Sequence, residues 1–235
     1  MRKIIDKILG LLYPNVCCFC GEISKEPICE KCKKKVIYIH EPRCKKCGKP
    51  IRLEEQEYCF DCKKTSFSYE QGKSVWLHKT PVSDSIYQFK YRNRRIFARF
   101  YAKEMCRLYG EWIKKCEIDV IIPVPIHAKR RRKRGYNQAE VLAKYVARET
   151  GIPMCAKAVK RERKTQPQKE LDVRRRRHNL ANAFSVARHW KQWRNVLIVD
   201  DIYTTGSTID ALAKRLKEKG ARNIWFLTIS IGQGF

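Results

Sequence analysis

Between Cys17 and Cys62 the chain places eight cysteines in four pairs, Cys17/Cys20, Cys29/Cys32, Cys44/Cys47 and Cys59/Cys62, each with two residues between its members. That spacing lets two thiolates from one tight turn reach the same tetrahedral ion at ~2.3 Å, while a second turn supplies the other two ligands. A disulfide framework is the competing use of such pairs, and it belongs to exported chains. The opening stretch MRKIIDKILGLLYP carries Asp6 and Lys7 inside its apolar run and has no small-residue cleavage site, so a signal peptide is not expected. No apolar run reaches the ~18 residues of a membrane span, and a cytoplasmic location is expected. The pairs therefore point to two Zn²⁺, one held by Cys17, Cys20, Cys29 and Cys32, the other by Cys44, Cys47, Cys59 and Cys62. Glycine follows the second cysteine in CCFCGE and CKKCGK, where the turn wants a left-handed residue, but not in CEKC or CFDC. This alternation favours sequential ribbons over cross-bracing between the first and third pairs, which stays open as the alternative. The Lys33–Lys49 linker is rich in lysine and has little apolar periodicity, so metal is expected to drive folding here. Of the remaining cysteines, Cys18 lies inside the first turn, and Cys106, Cys116 and Cys155 read as buried thiols.

Charge sets the second constraint. The 235 residues include 52 Lys and Arg against 24 Asp and Glu, a formal net charge of +28. Such an excess favours polyanions, because neutralised phosphates release counterions. Lys129, Arg130, Arg131 and Arg132 open the run KRRRKR, and Arg174, Arg175 and Arg176 belong to RRRR. Runs of this kind repel themselves and make a poor solvating surface unless an anion lies on them, so they are candidate nucleic-acid contacts. The plain alternative is a solvated face, as on a heat-adapted protein. Tyr87, Phe89, Tyr91, Phe97 and Tyr101 interleave with Lys90, Arg92, Arg94, Arg95 and Arg99. Single-strand binders combine rings and cations in this way, although helical spacing sends many of these rings to a core.

From residue 67 the pattern becomes that of an α/β domain, dividing the chain into 1–66 and 67–235. KSVWLH reads as a strand, and VSDSIYQFKYRNRRIFARFYAKEMCRLYGEWI as one or two amphipathic helices, with Ile96, Phe100, Ala102 and Cys106 near helical spacing. IDVIIPVP is a short buried strand. NQAEVLAKYVARETG is a helix with Ala139, Leu142, Tyr145 and Val146 on one face and Gly151 as its stop. NVLIVDD, STIDALAKRLKEKG and NIWFLTISI complete a strand, helix, strand series, the pattern of a parallel sheet covered on both faces.

Ligands of open α/β sheets bind at the carboxyl ends of strands, where Asp200 and Asp201 emerge. The loop Thr204, Thr205, Gly206, Ser207 and Thr208 then leads into a helix. Its backbone N–H groups, its hydroxyls and the helix dipole suit a phosphate monoester. Two carboxylates beside such a cup suit vicinal hydroxyls, and together they describe a ribose 5-phosphate.

The stretch VLIVDDIYTTGST resembles the signature of type I phosphoribosyltransferases. The cysteine module, FKYRNRR, PVPIHAKRRRKRGYNQAE and TQPQKELDVRRRRHNLANAF extend that likeness along nearly all of the chain to the ComF competence-protein family. The resemblance implies a type I phosphoribosyltransferase fold behind a zinc-ribbon module, with phosphoribosyl pyrophosphate and Mg²⁺ as ligands. On it, Asp200 and Asp201 take the ribose hydroxyls, Thr204 to Thr208 the 5-phosphate, and Arg134 and Gly135 the pyrophosphate. It further implies a role in natural transformation, handling single-stranded DNA in the cytosol beside a helicase-like translocase. A mobile loop, here Arg161–Asn179 with Gln166, Gln168 and Arg177, is expected to close over the site. Thr204 stands where 6-oxopurine transferases carry an aspartate base. Two other functions stay open: an active phosphoribosyltransferase with an unidentified acceptor, and a zinc-ribbon adaptor docking a protein through CEKCKKKVIYIHEP.

Overall fold

The computed structural model describes residues 16–162, 183–188 and 190–233. Its elements in chain order are α1 (Glu30–Lys33), α2 (Phe60–Lys64), β1 (Gln71–Leu77), α3 (Val82–Tyr91), α4 (Phe97–Lys115), β2 (Val120–Pro123), α5 (Ala128–Arg134), α6 (Gln138–Thr150), β3 (Val159–Arg161), β4 (Phe184–Val186), β5 (Asn195–Tyr203), α7 (Ser207–Glu218) and β6 (Asn223–Ile231). β1, β6, β5 and β2 form one sheet in that spatial order, every neighbouring pair parallel. β3 and β4 form a separate antiparallel ribbon.

Strands buried on both faces read as continuous apolar runs. Val196 to Val199 and Phe226 to Ile231 are buried throughout, so β5 and β6 occupy the middle of the sheet. Val196 and Ile198 face Leu212 and Leu216 of α7 on one side; Leu197 and Val199 face α3, α4 and α6 on the other. α4 buries Phe97, Ala98, Tyr101, Ala102, Met105, Tyr109 and Ile113. This corrects the phase expected from sequence: Ile96 stands before the first turn and is 63% exposed, while Phe100 and Cys106 are half-buried. The chain between the two helices turns through Asn93 at φ 55°, so the second stripe starts afresh at Phe97. On α6, Asn137 caps the first turn, Gly151 ends the helix at φ 75°, and Ala143 rather than Tyr145 completes the buried face. Cys116 and Cys155 are half-buried, as is Cys106, whose thiol burial pushes up to about 11.

Within the cysteine module each first pair sits in a knuckle. Gly21 (φ 79°) and Gly48 (φ 76°) donate their N–H groups to the carbonyls of Cys17 and Cys44, both at 2.9 Å. Each second pair instead opens a helix, with Cys29 and Cys59 at the N-caps of α1 and α2. A helical turn already brings the two thiols of CEKC or CFDC together, and no left-handed residue is needed.

The module packs directly on the sheet. Phe19 is buried edge-on against Trp76 of β1 at 5.4 Å and against Phe100 at 6.0 Å, and the Ser85 hydroxyl donates to the Cys18 carbonyl. The linker between the ribbons runs antiparallel beside β1: Ile39 N–H donates to Val75 O at 3.0 Å and Leu77 N–H to Ile37 O at 2.9 Å. In this way the open edge of the sheet is covered. On the second knuckle, Lys46 O accepts from Gly72 N–H at 2.8 Å, and a Cβ on Gly48 would lie 2.7 Å from Gly72 O. Removing the Phe19 ring opens a cavity at this junction; Phe19→Ala is expected to destabilise the protein by ~3–5 kcal/mol in urea unfolding, with its zinc content unchanged.

Candidate functional site

β5 and β2 end at a cleft of about 240 Å³, and its walls come from four directions. Asp200 and Asp201 form the floor, Thr204, Gly206, Ser207 and Thr208 one wall, Arg130 and Arg134 of α5 another, and Lys90, Tyr91 and Arg161 the mouth. Consecutive strand residues point to opposite faces of a sheet. Asp200 therefore turns toward Arg161, and Asp201 turns toward α3, where Lys90 Nζ holds its Oδ1 at 2.9 Å.

The loop leaves β5 at Tyr203 and reverses at Gly206, the N-cap of α7, at φ 78°. A side chain there meets two obstacles: the left-handed backbone, and a Cβ only 2.5 Å from Tyr203 Oη and 3.0 Å from Phe67. With this turn made, the first N–H groups of a twelve-residue helix face the cleft, a ready anion site. Ser207 is buried, its hydroxyl paired with that of Thr205 at 2.9 Å. Thr205 orients Ser207 and does not border the cleft.

Tyr203 supports this loop from below. Its ring stacks on Phe226 at 4.7 Å, and its hydroxyl pairs with that of Tyr69 at 2.7 Å. Lys49, the residue after the second zinc knuckle, is buried beside the Tyr203 ring and pairs with Asp61 of α2 at 2.6 Å. Asp210 of α7 accepts from Ser68 N–H at 2.7 Å. The second ribbon is thus the base on which the Thr204–Thr208 loop rests.

The charged groups lining the cleft perturb one another. Burial raises the Asp200 carboxyl to about 8, and the Asp201 charge adds to this against the Asp201 N–H, Lys90 and Arg161. Burial and the neighbouring Arg130 lower the Arg161 guanidinium to about 10, with Asp200 opposing them. Two arginines held this close are relieved by an anion between them. Asp201 Oδ2 is buried without a hydrogen-bond partner, an acceptor waiting for a donor.

The run KRRRKR is helical, not a loop. His127 Nδ1 accepts from Lys129 N–H at its start, and Gly135, at φ 83°, ends it by donating to Arg131 O at 2.7 Å. Arg130 and Arg134, one turn apart, face the cleft, whereas Lys129 and Arg132 are exposed and Arg131 pairs with Glu140 at 3.3 Å. Gly135 shapes this turn without lining the cleft. Arg174, Arg175 and Arg176, with Gln166, Gln168 and Arg177 of the expected loop, lie outside the described residues. Lys90, read from sequence only as one of the interleaved cations, Arg161, expected to open the mobile loop but found in β3, and Gln138 also line the cleft. The spacing of Arg130 and Arg134 held a usable signal, since residues four apart share a helix face.

The eight paired thiols gather in chain order: the sulfurs of Cys17, Cys20, Cys29 and Cys32 lie within 4.8 Å of one another, as do those of Cys44, Cys47, Cys59 and Cys62. Cys20 and Cys29 are 3.7 Å apart, and Cys47 and Cys59 3.6 Å. A tetrahedral ion with ~2.3 Å bonds sets its sulfurs about 3.8 Å apart, so both groups fit Zn²⁺. Phe19 and Cys29 N–H groups point at Cys17 Sγ, each at 3.4 Å, stabilising thiolate.

Residues 8–63 match the double zinc ribbon domain family, and residues 133–230 the phosphoribosyl transferase domain family. Competence protein F of Haemophilus influenzae is 36% identical over 149 residues, which are 61% of this chain and 65% of that one. The DNA utilization protein YhgH of Salmonella typhimurium is 31% identical over 154 residues, 64% of this chain and 67% of that one. Competence protein ComFC of Bacillus subtilis is 24% identical over 157 residues, 67% of this chain and 62% of that one. The chain spans just under two thirds of the length of the Haemophilus relative.

Native mass spectrometry is expected to find two Zn²⁺ per chain, and Cys59→Ser to retain one. The acidic pair should also show in stability. Folded Asp200 keeps to about 8 a proton that an ordinary carboxyl releases near 3.8, so its contribution to stability falls as pH rises between those values. Asp200→Asn is therefore expected to melt above wild type at about pH 9, the difference shrinking toward about pH 4. Taking it between the two proteins at each pH cancels any effect of metal loss in acid.

Proposed function

We propose that this chain, which belongs to the ComF family of competence and DNA utilization proteins, binds phosphoribosyl pyrophosphate with Mg²⁺ in the cleft and handles single-stranded DNA in the cytosol. Residues 1–66 act as the zinc module and 67–235 as the ligand-binding domain. The observation that carries the reading is the buried, unpartnered Asp201 Oδ2, set beside a helix N-terminus that takes a phosphate. A ribose 5-phosphate presents vicinal hydroxyls and a phosphate on one small ligand. Asp200 and Asp201 accept from the hydroxyls, while the Thr204–Thr208 loop, through its N–H groups, Thr204, Ser207 and Thr208, takes the 5-phosphate. Arg130, Arg134 and Arg161 face the pyrophosphate side.

Mg²⁺, when bound, neutralises charge on the pyrophosphate and helps it leave. Lys90 holds Asp201 in place through its ion pair. Arg161 and Arg130 counter the charge that collects on a departing pyrophosphate, a contribution of position and electrostatics. Thr204 supplies no base to a 6-oxopurine, which favours ligand recognition over salvage chemistry. The exposed lysines and arginines of α5 fit DNA phosphates, and a helicase-like translocase is the partner that would deliver the strand.

Calorimetry with Mg²⁺ and phosphoribosyl pyrophosphate is expected to show saturable binding to wild type and a loss of at least about tenfold in the Asp200→Ala/Asp201→Ala double variant, the equivalent of ~1.4 kcal/mol. Repeating the titration with single-stranded DNA present is expected to shift the affinity, since ligands of adjacent sites are coupled. Equal binding by the double variant would remove the basis of the reading.

A further inference from the structure

α3 buries Val82, Ser85, Ile86 and Phe89, and its other side carries two rings that are exposed among the described residues. Tyr87 and Tyr91, one helical turn apart, have ring centroids 4.9 Å from each other and are 55% and 57% exposed. Among the described residues, Tyr58 and Phe60 are the other large exposed rings, and no ring contact joins them. Just beyond Tyr91 the chain turns through Arg92, Asn93, Arg94 and Arg95. Arg92 and Arg94 are exposed, with no carboxylate partner among the described residues, and Arg134 comes from α5 to place its guanidinium 4.8 Å from the Tyr91 ring. From Ser85 to Lys103 the sequence has no Asp or Glu. An ordinary solvated helix face would interleave acids with these bases.

We infer that the Tyr87–Tyr91 pair is a stacking platform for the bases of single-stranded DNA, whose phosphates lie on Arg92, Arg94 and Arg134. This rests on the reading of the chain as a handler of single-stranded DNA and gives that reading a surface. Exposed rings, and arginines with no carboxylate partner among the described residues, answer the two parts of a single strand, its base faces and its phosphates. A duplex keeps its bases stacked on one another and offers the rings nothing. Tyr91 also borders the cleft, so a strand on the platform crosses the cleft mouth.

The test uses the full zinc-loaded chain and fluorescence anisotropy with a labelled oligothymidylate across a range of salt. Wild type is expected to bind it. Tyr87→Ala/Tyr91→Ala is expected to lose about 10- to 100-fold in affinity with an unchanged salt slope and unchanged affinity for heparin, since stacking involves no counterions. Tyr87→Phe/Tyr91→Phe is expected to bind as wild type, because the ring faces and not the hydroxyls are used. Arg92→Ala/Arg94→Ala is expected to flatten the plot of log affinity against log salt by about 1.4, two single-strand phosphate contacts. Wild-type affinity in the alanine pair would overturn the platform while leaving single-strand binding standing. Loss of heparin affinity in parallel would overturn it too, by showing a general defect. Failure of wild type to bind the oligonucleotide would instead overturn the reading on which the platform rests.

Discussion

Two carboxylates on consecutive residues of a buried strand repel each other and lose water together, and the molecule is arranged around keeping them there. Lys90 closes on Asp201 from one face of the sheet, while Arg161 approaches Asp200 from the other. Neither contact is complete. Asp201 keeps one oxygen unpartnered, and Asp200 holds a proton well above the ordinary carboxylate range. Removing one member of such a buried pair leaves an uncompensated charge, so each cation secures its acid more than it adds net stability. What the protein leaves open is an acceptor with room for a donor.

The same economy applies to the Thr204–Thr208 loop. Gly206 can make its turn because Tyr203 and Phe67 stand directly below, and Tyr203 stays in place through Tyr69, Phe226 and the buried Lys49. Lys49 in turn belongs to the second zinc knuckle and is held by Asp61 of α2. A continuous path of packed side chains therefore runs from a thiolate cluster to the anion site, with no long flexible element in between.

How much of this could be read from sequence depended on whether the signal was local. The cysteine pairs, the glycines in their knuckles, the apolar run of β5 and the acid-to-glycine loop after it are contiguous, and all lie in the structure as the local chemistry suggests. The contacts of Lys90 and Arg161 could not be found that way, because each meets the aspartates across more than thirty residues of chain. Of the stripe expected on α4, Ala102 is buried, while Phe97, Tyr101 and Met105 take the places of Ile96, Phe100 and Cys106, because the turn at Asn93 decides where the helix starts. Composition marked the basic run as a surface for polyanions but not its shape; a histidine cap and a left-handed glycine make it one short helix whose faces differ in their surroundings. The interleaved rings divided in two: Phe89, Phe97 and Tyr101 went to the core, Tyr87 and Tyr91 to solvent.

The linker lying along β1 has a consequence beyond packing. Residues 37–39 occupy backbone groups that an edge strand otherwise turns outward, and they are held there by a ribbon on either side. A chain that lost its metal would thus free a strand edge and the Trp76 surface at once, the combination through which proteins recruit copies of themselves.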